Sequence, residues 1–426
     1  MESNTRNRLM ISRLLPAILL VGVLGACKLD ISNPNAATQE GVLGTVAGLR
    51  ALAIGMQGRL GNAMEENIYV PSIVSGEFGN TSATQSTTRE FQNFPTASAN
   101  SAIDVTNVDL LDIWVKNYAV IKSANDILDN IGSLTFAPGT AAGMTGLAKL
   151  HKAMAYGTLI EVFEKIPIDT GPTPQFADRA TVLAEILSLL ASAKSDVTGT
   201  ALTTDFTTNI LAPNFDLLNT IRAMQARYSL AAGSYDAALG FANEVPSSVS
   251  SVITFGGTDL NPFRNLFHSA KFFGAISGFR ANAEAGDTRV AQFTTATAFA
   301  ALGGATTFET NIFPTDASPI AVFLQDELTL IRAEAPARLN RLPESIAQIN
   351  IVRARAGLAA KTSADLPTQS AVLDEVFLQR TYSLFSTGLH WADERRLGKI
   401  SLAKVRYLPY PATVRATNPN TPDNPV

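Results

Sequence analysis

From Val108 to Ile131 the apolar residues Leu110, Trp114, Tyr118, Ile121, Leu128 and Ile131 recur at helical spacing and make one stripe. The spacing predicts a helix there, with Gly132 suited to a left-handed C-terminal cap. The same periodicity predicts helices over 144–163 (Leu147, Leu150, Met154, Ile160) and 180–196 (Leu183, Ile186, Leu187, Leu190). A helical hairpin is expected over 215–245. Leu217, Ile221, Met224, Tyr228 and Ala231 form its first stripe, Gly233 ends that helix, and Ser234 can cap the next. Further helices are expected over 321–335, 344–356 and 370–386. A first helix over 39–60 carries Gly41, Gly44, Gly48, Gly55 and Gly58, each costing up to ~1 kcal/mol relative to alanine. Packing must hold it.

Two stretches break the pattern. Residues 62–102 are rich in Ser, Thr, Asn and Gly, with room for a short helix near 66–74. Residues 246–320 are again irregular and crowded with Phe255, Phe263, Phe267, Phe272, Phe273 and Phe279. Long irregular segments within compact domains are often functional. The fold class expected is mostly α, built of helix pairs in series with two long loop-rich insertions. The string from Ala231 to Ala238, A-x-G-x-Y-x-x-A, resembles the tight turn of a tetratricopeptide repeat.

The amino terminus has its own chemistry. Arg6, Arg8 and Arg13 lead into an apolar run, Leu14 to Leu24 with Pro16 inside it, and Leu24-Gly25-Ala26 precede Cys27. The run is shorter than the ~20 residues a membrane-spanning helix needs. It reads as a bacterial lipoprotein signal: a positive start, a short apolar middle, small residues, and a thiol that takes the lipid. Cys27 is the only cysteine, so its acylation leaves no disulfide within the chain. The expected organisation is a signal over 1–26, a tether over 27–38, a helical part over 39–245, the insertion over 246–320 and a C-terminal part over 321–426. Residues 27–426 are expected to form one compact unit.

Composition narrows the functional classes. The chain is 46% hydrophobic with 22 Phe, enough for a large core. Loss of residues 1–26 removes three arginines and Glu2 and moves the net charge from −4 to −6. A mildly acidic chain without a basic cluster argues against nucleic acid as a partner. His151, His268 and His390 are far apart and lack metal-ligand spacing. There is no G-x-S-x-G elbow and no phosphate-cradling G-x-x-x-x-G-K-[ST]. Glu65-Glu66 and Asp374-Glu375 are adjacent carboxylates that read as solvated helix faces. No catalytic residue, metal site or cofactor is expected.

The last third carries ordered motifs. Glu327-Leu328-Thr329-Leu330-Ile331-Arg332-Ala333-Glu334-Ala335 is followed by Ile349-Asn350-Ile351-Val352-Arg353-Ala354-Arg355-Ala356-Gly357-Leu358. Then come Gly388-Leu389-His390-Trp391-Ala392-Asp393-Glu394-Arg395-Arg396 and a tail with Tyr407-Leu408-Pro409-Tyr410-Pro411 and Asn418-Pro419. Upstream stand Trp114, Tyr118, Ile121, Ala124 and Asn125, and a run ending at Pro167. This series resembles the SusD/RagB family of outer-membrane nutrient-uptake lipoproteins. The chain departs from the family pattern at Gln379-Arg380-Thr381-Tyr382-Ser383-Leu384, where two acids are missing, and at His390, where arginine is usual. Pro336 is expected to end or kink its helix. Glu327, Glu334, Arg332, Arg353 and Arg355 read as a network locking neighbouring helices, and Trp114 and Trp391 as core anchors.

The resemblance implies a SusD-like helical fold and a binding protein rather than an enzyme. It implies a lipid-anchored position at the outer membrane, facing the cell exterior, a TonB-dependent barrel transporter as partner, and an oligosaccharide or peptide as cargo. Sugar capture needs aromatic faces and polar groups at a rim. The two loop-rich segments are the expected suppliers: Glu77, Asn80, Arg89 and Phe91 from the first, Phe272 and Phe273 from the second. A surface glycoside hydrolase, and a lipoprotein scaffold binding another protein through its helix pairs, are the alternatives.

Overall fold

The computed structural model describes residues 39–81, 90–92, 103–300, 306–400 and 406–425; Cys27, Arg89 and the tether lie outside them. The principal helices are α1 (Val46–Ser75), α2 (Val108–Asn130), α3 (Pro138–Val162), α4 (Arg179–Gly199), α5 (Leu217–Ala231) and α6 (Tyr235–Asn243), then α7 (Gln325–Arg338), α8 (Leu342–Arg355), α9 (Gln369–Ser383) and α10 (His390–Arg396). Successive helices pack on one another from α1 to α6. Helix α7 packs on α6, α8 and α9 follow it, and α10 returns to α1. One large core runs through this stack, and a smaller one lies among α7, α8 and α9.

The local reasons are visible in the sequence. Asn107 caps α2 by accepting from the amides of Asp109 and Leu110, and Asp178 and Asp216 cap α4 and α5 in the same way. Leu110, Trp114 and Ile121 of the α2 stripe are buried and Tyr118, Leu128 and Ile131 partly so, with Trp114 meeting Phe163 edge-on at 5.1 Å. In the tight turn between α5 and α6, Gly233 takes φ +77°, as the repeat-like string predicts.

Several elements differ from expectation. The first long helix runs on to Ser75, through the start of the expected loop, and absorbs Pro71. Proline removes the amide that would serve the carbonyl of Asn67 four residues earlier. Gly388 closes against that carbonyl: a Cβ there would lie 2.5 Å from it. Gly132 sits in a short 3₁₀ turn, Ile131–Ser133, rather than in a left-handed cap. Ser234 stands at the start of α6 without a side-chain capping bond. Pro336 lies inside α7, which continues to Arg338 because the proline falls in its last turn, where its own carbonyl still accepts from Leu339 and Arg341.

The segment 246–320 holds most of the sheet structure. Strands β1 (Phe78–Asn80), β2 (Ile166–Pro167), β3 (Phe176–Ala177), β4 (Ser251–Ile253), β5 (Phe273–Ile276), β6 (Thr294–Ala300), β7 (Thr306–Thr310) and β8 (Ile320–Phe323) pair antiparallel. β1, β5, β7 and β6, in that order, form a four-stranded sheet, and β4 pairs with β8. The phenylalanines of this segment are packing residues. Phe267 meets Phe78 at 5.0 Å and Phe263 at 5.7 Å, and Phe279 meets Phe385 at 4.3 Å. Among the described residues no helix is long and apolar enough to cross a membrane.

Candidate functional site

A half-enclosed cavity of about 490 Å³ opens where α1, α3, α5, α7 and α10 converge, between the α9–α10 loop and the segment leading through β8 into α7. Its volume falls in the ~300–1,000 Å³ range of small-molecule sites. Leu60, Met64 and Ile68 of α1, Phe313 and Leu389 give it apolar wall, and Arg227, Gln325 and Arg396 polar wall.

The charges around it are paired with one another. Arg227 of α5 grips Glu327 of α7 by two bonds, Nε–Oε1 at 2.6 Å and Nη2–Oε2 at 2.7 Å, and gives a third to the carbonyl of Val322. Asp393 accepts from Arg380 Nε and from Arg396 Nη2, both at 2.7 Å. Arg396 also bonds the fully buried Glu334. Arg289 holds Asp287 at 2.7 Å and donates to Ser383 Oγ, which donates to Asp326. Asp326 in turn pairs with Arg355, and Glu161 with Arg179 and Arg395. Burial alone would raise the Asp393 carboxyl, but Arg380 and Arg396 outweigh it and hold the group below its ordinary value. Glu161 is likewise pushed up by burial and held low on balance by Arg179 and Arg395. Burial lowers the Arg227 guanidinium less than Glu327 raises it. The expected helix-locking network is therefore present, with partners drawn from other parts of the chain: Arg353 binds Glu284 and Glu375, and Arg332 reaches the carbonyl of Ala242. Trp391 and Trp114 are buried.

The residues expected to touch a ligand lie elsewhere. Pairing of β1 with β5 puts Asn80 opposite Phe273, so the sheet does bring the two loop-rich segments together. It also internalises them. Glu77, Asn80, Phe91 and Phe273 are all buried; Phe273 stacks on Tyr69 at 5.4 Å, and only Phe272 of the described set is partly exposed. None of these side chains lines the cavity. Phe273 holds the sheet against Tyr69 of α1, and the buried side chains present no face to a sugar.

Two carboxylates differ from expectation. Glu66 is buried rather than solvated, and burial, opposed by a bond from Lys116, pushes it up to about 7. Glu77 is pushed up to about 8 by burial, against the Ser386 amide, which donates to it at 3.4 Å. Neither lines the cavity, whose own carboxylates are each paired to arginine. Asp374 pairs with exposed Lys399, whereas its neighbour Glu375 is buried on Arg353. His151 is buried within α3 with Nδ1 2.9 Å from the carbonyl oxygen of Leu147; burial lowers it to about 4. Among the described residues no group of three or more His, Cys, Asp or Glu could hold a metal ion.

The comparisons with known proteins agree with this architecture. The family model described as "SusD family" matches residues 327–425, and one described as "Starch-binding associating with outer membrane" matches residues 47–204. A SusD superfamily protein from Bacteroides thetaiotaomicron superposes with a TM-score of 0.70 at 18% identity, over 90% of this chain and 98% of its own. A SusD-like carbohydrate binding protein from Bacteroides vulgatus gives 0.64 at 16%, over 83% of each chain. NanU of B. fragilis gives 0.69 at 13%, over 93% of this chain and 99% of its own. At these identities the likeness to solved structures is one of fold: mostly α and SusD-like. No curated protein sequence matches the chain.

Proposed function

The chain belongs to the SusD/RagB family, and from that premise we propose that it is a lipid-anchored, non-catalytic nutrient-binding protein of the outer membrane. It captures a glycan, or else a peptide, and passes it to a TonB-dependent barrel transporter. The observation that carries the binding reading is the half-enclosed cavity with arginine-paired carboxylates. Glycoside hydrolysis needs one carboxyl kept protonated at working pH and a second facing it. Glu161 and Asp393 in the cavity wall are held low, in the opposite sense. The two family models, one of them named for starch binding and outer-membrane association, support the class of ligand and the location.

Acylation of Cys27 supplies the anchor, and residues 28–38 the leash that lets the helical body sit over a barrel. Two measurements test this reading. Metabolic labelling with a fatty acid should mark the wild-type protein and miss Cys27→Ser. Purification from intact outer membranes should bring down a large β-barrel together with the wild-type chain. Glycan fragments released by the pure protein would instead establish the hydrolase. A barrel-free pull-down with a different protein would establish the scaffold.

A further inference from the structure

We propose that the end of the body at which α1 begins is a lipid-facing surface, seated on the neutral interface of a zwitterionic bilayer with Val46 and Ile54 at the contact. This rests on the lipid-anchored reading above and adds which face of the protein lies against the membrane.

Charge is distributed unevenly along the chain, of which 16% is charged overall. Residues 41–49, 51–58, 130–148 and 197–204 contain no Asp, Glu, Lys or Arg. The fold gathers these stretches at one end. The short helix Gln39–Leu43 packs on both α1 and α2. Thr203 bonds Thr140, in the first turn of α3, hydroxyl to hydroxyl at 2.7 Å. Asp205 takes Arg50 of α1, with Nη2–Oδ1 at 2.8 Å. The starts of α1 and α3, the turn that joins α2 to α3, and residues 197–204 therefore lie together. Arg50 and Asp205, which border the uncharged stretches, neutralise each other.

Exposed apolar bulk is found at the same end. Among the described residues the large apolar side chains that stand exposed are Val46, Ile54, Val108, Val115, Leu260 and Ile351. Val108, Val115 and Leu260 each adjoin a charge in sequence, at Asp109, Lys116 and Asp259. Val46 and Ile54 stand one turn either side of Arg50, on the same helix face, and both oxygens of Asp205 hold that guanidinium. Such a face meets lipid without stranding an unpaired ion. It carries no Lys/Arg cluster that would select anionic headgroups.

The length of chain between anchor and body selects lipid as the occupant. Residues 28–38 reach no more than ~40 Å even when drawn straight. Helix α1 has 30 residues and is ~45 Å long. The leash is thus too short for the body to stand inverted on the far end of α1, and the end where α1 begins stays nearest the bilayer. Tethering raises the effective concentration of this face at the lipid to the order of millimolar, so a contact too weak to recruit free protein is enough. An apolar face of this kind settles at the boundary of headgroups and acyl chains, and the other faces stay open to the barrel.

The test places the acylated mature protein in phosphatidylcholine vesicles whose acyl chains carry bromine, a quencher of indole fluorescence. Ile54→Trp puts a reporter at the contact. Ile351→Trp puts the same indole at an exposed position of α8, and native Trp114 and Trp391 are buried and give a background to subtract. The reporter at position 54 should lose emission in brominated relative to plain vesicles, and the one at 351 should not. Val46→Asp added to Ile54→Trp should abolish the loss, whereas high salt and anionic lipid should leave it unchanged. Unfolding midpoints report whether each variant folds. An unquenched reporter at 54, on protein that floats with the vesicles, overturns the proposal and leaves the anchor standing. Equal quenching at 54 and 351 does the same, as does shielding at 54 that needs the co-purified barrel, which would make the face a protein interface. If the wild-type protein does not float with the vesicles, the anchored reading fails and takes this one with it.

Discussion

The helices before residue 245 and those after residue 324 are fixed to their neighbours by different means. In the first group side chains pack directly onto glycine backbone, alongside ion pairs such as Lys116 with Glu66 and Arg179 with Glu161. A Cβ added to Gly157 of α3 would lie 1.9 Å from the Tyr228 hydroxyl of α5, and one added to Gly146 would lie 2.4 Å from Val197 of α4. One added to Gly143 would lie 2.6 Å from the Phe206 ring. In the second group arginine and carboxylate pairs cross between helices: Arg353 with Glu375, Arg380 with Asp393, Arg396 with Glu334. The contrast separates two stabilising strategies. Close packing is indifferent to salt and pH but intolerant of one added methyl. Buried pairing tolerates changes of bulk but not the loss of a partner.

The largest effect expected follows from removing a shared cation. Arg396→Met keeps most of the bulk but leaves Glu334 with only Arg338, at 3.5 Å, and takes one of two arginines from Asp393. Breaking one side of a buried pair costs ~3–5 kcal/mol. Urea unfolding at neutral pH should read that loss. A cost below ~1 kcal/mol would mean that the pairs after residue 324 are decorative, and the contrast would collapse. Gly157→Ala comes next. Tyr228 is buried and has little room to retreat, so overpacking should cost ~1–3 kcal/mol. Urea unfolding of this variant should read the loss.

The two groups also differ in how far the sequence discloses them. The paired residues of the C-terminal helices stand in recurrent strings, and the sequence predicts that Glu327, Glu334 and Arg353 are paired. It does not predict with whom. Glu327 finds Arg227, and Arg353 finds Glu284, because those contacts depend on how distant elements stack. The glycines of α1 read as weaknesses, and for Gly55 and Gly58, which have open space around them, that reading stands. Gly48 is different: a Cβ there would meet the Val42 carbonyl oxygen at 2.1 Å. Composition cannot separate the two cases, since close approach is a property of the neighbour. The cavity was least legible. Glu77, Asn80, Phe91 and Phe273 looked like rim residues because they sit in irregular, polar stretches. Short antiparallel pairing, too brief to leave a period-2 signature, carries Asn80 and Phe273 inward. Phe313 has one local signal, an isolated aromatic before proline in Asn311-Ile312-Phe313-Pro314. Its left-handed backbone, at φ +50°, is imposed from Asn261, His268 and Phe293.

A pH effect divides the groups by sign. Glu77, after α1, is buried, and no cation of the described residues pairs with it; Oε1 accepts from the Ser386 amide at 3.4 Å, and burial pushes the group up to about 8. Asp393, after α9, is equally buried but held low by two arginines. A carboxyl raised in the folded state binds its proton more tightly there than in the unfolded chain, whose value lies near ~4.3. Between ~4.3 and about 8 the unfolded state therefore carries fewer protons, and stability falls as pH rises, levelling off above the folded value. Asp393 acts in reverse: its stabilisation is full above the unfolded value of ~3.9 and is lost as pH falls through the lower folded value. Glu77→Gln abolishes the first contribution and leaves the second. At pH 5 the variant should unfold with the wild type. At pH 8 it should be more stable than the wild type, which alone must ionise a buried carboxyl there. Thermal unfolding across that range decides the matter. A variant less stable at pH 8 would mean that ionised Glu77 supports the Ser386 loop.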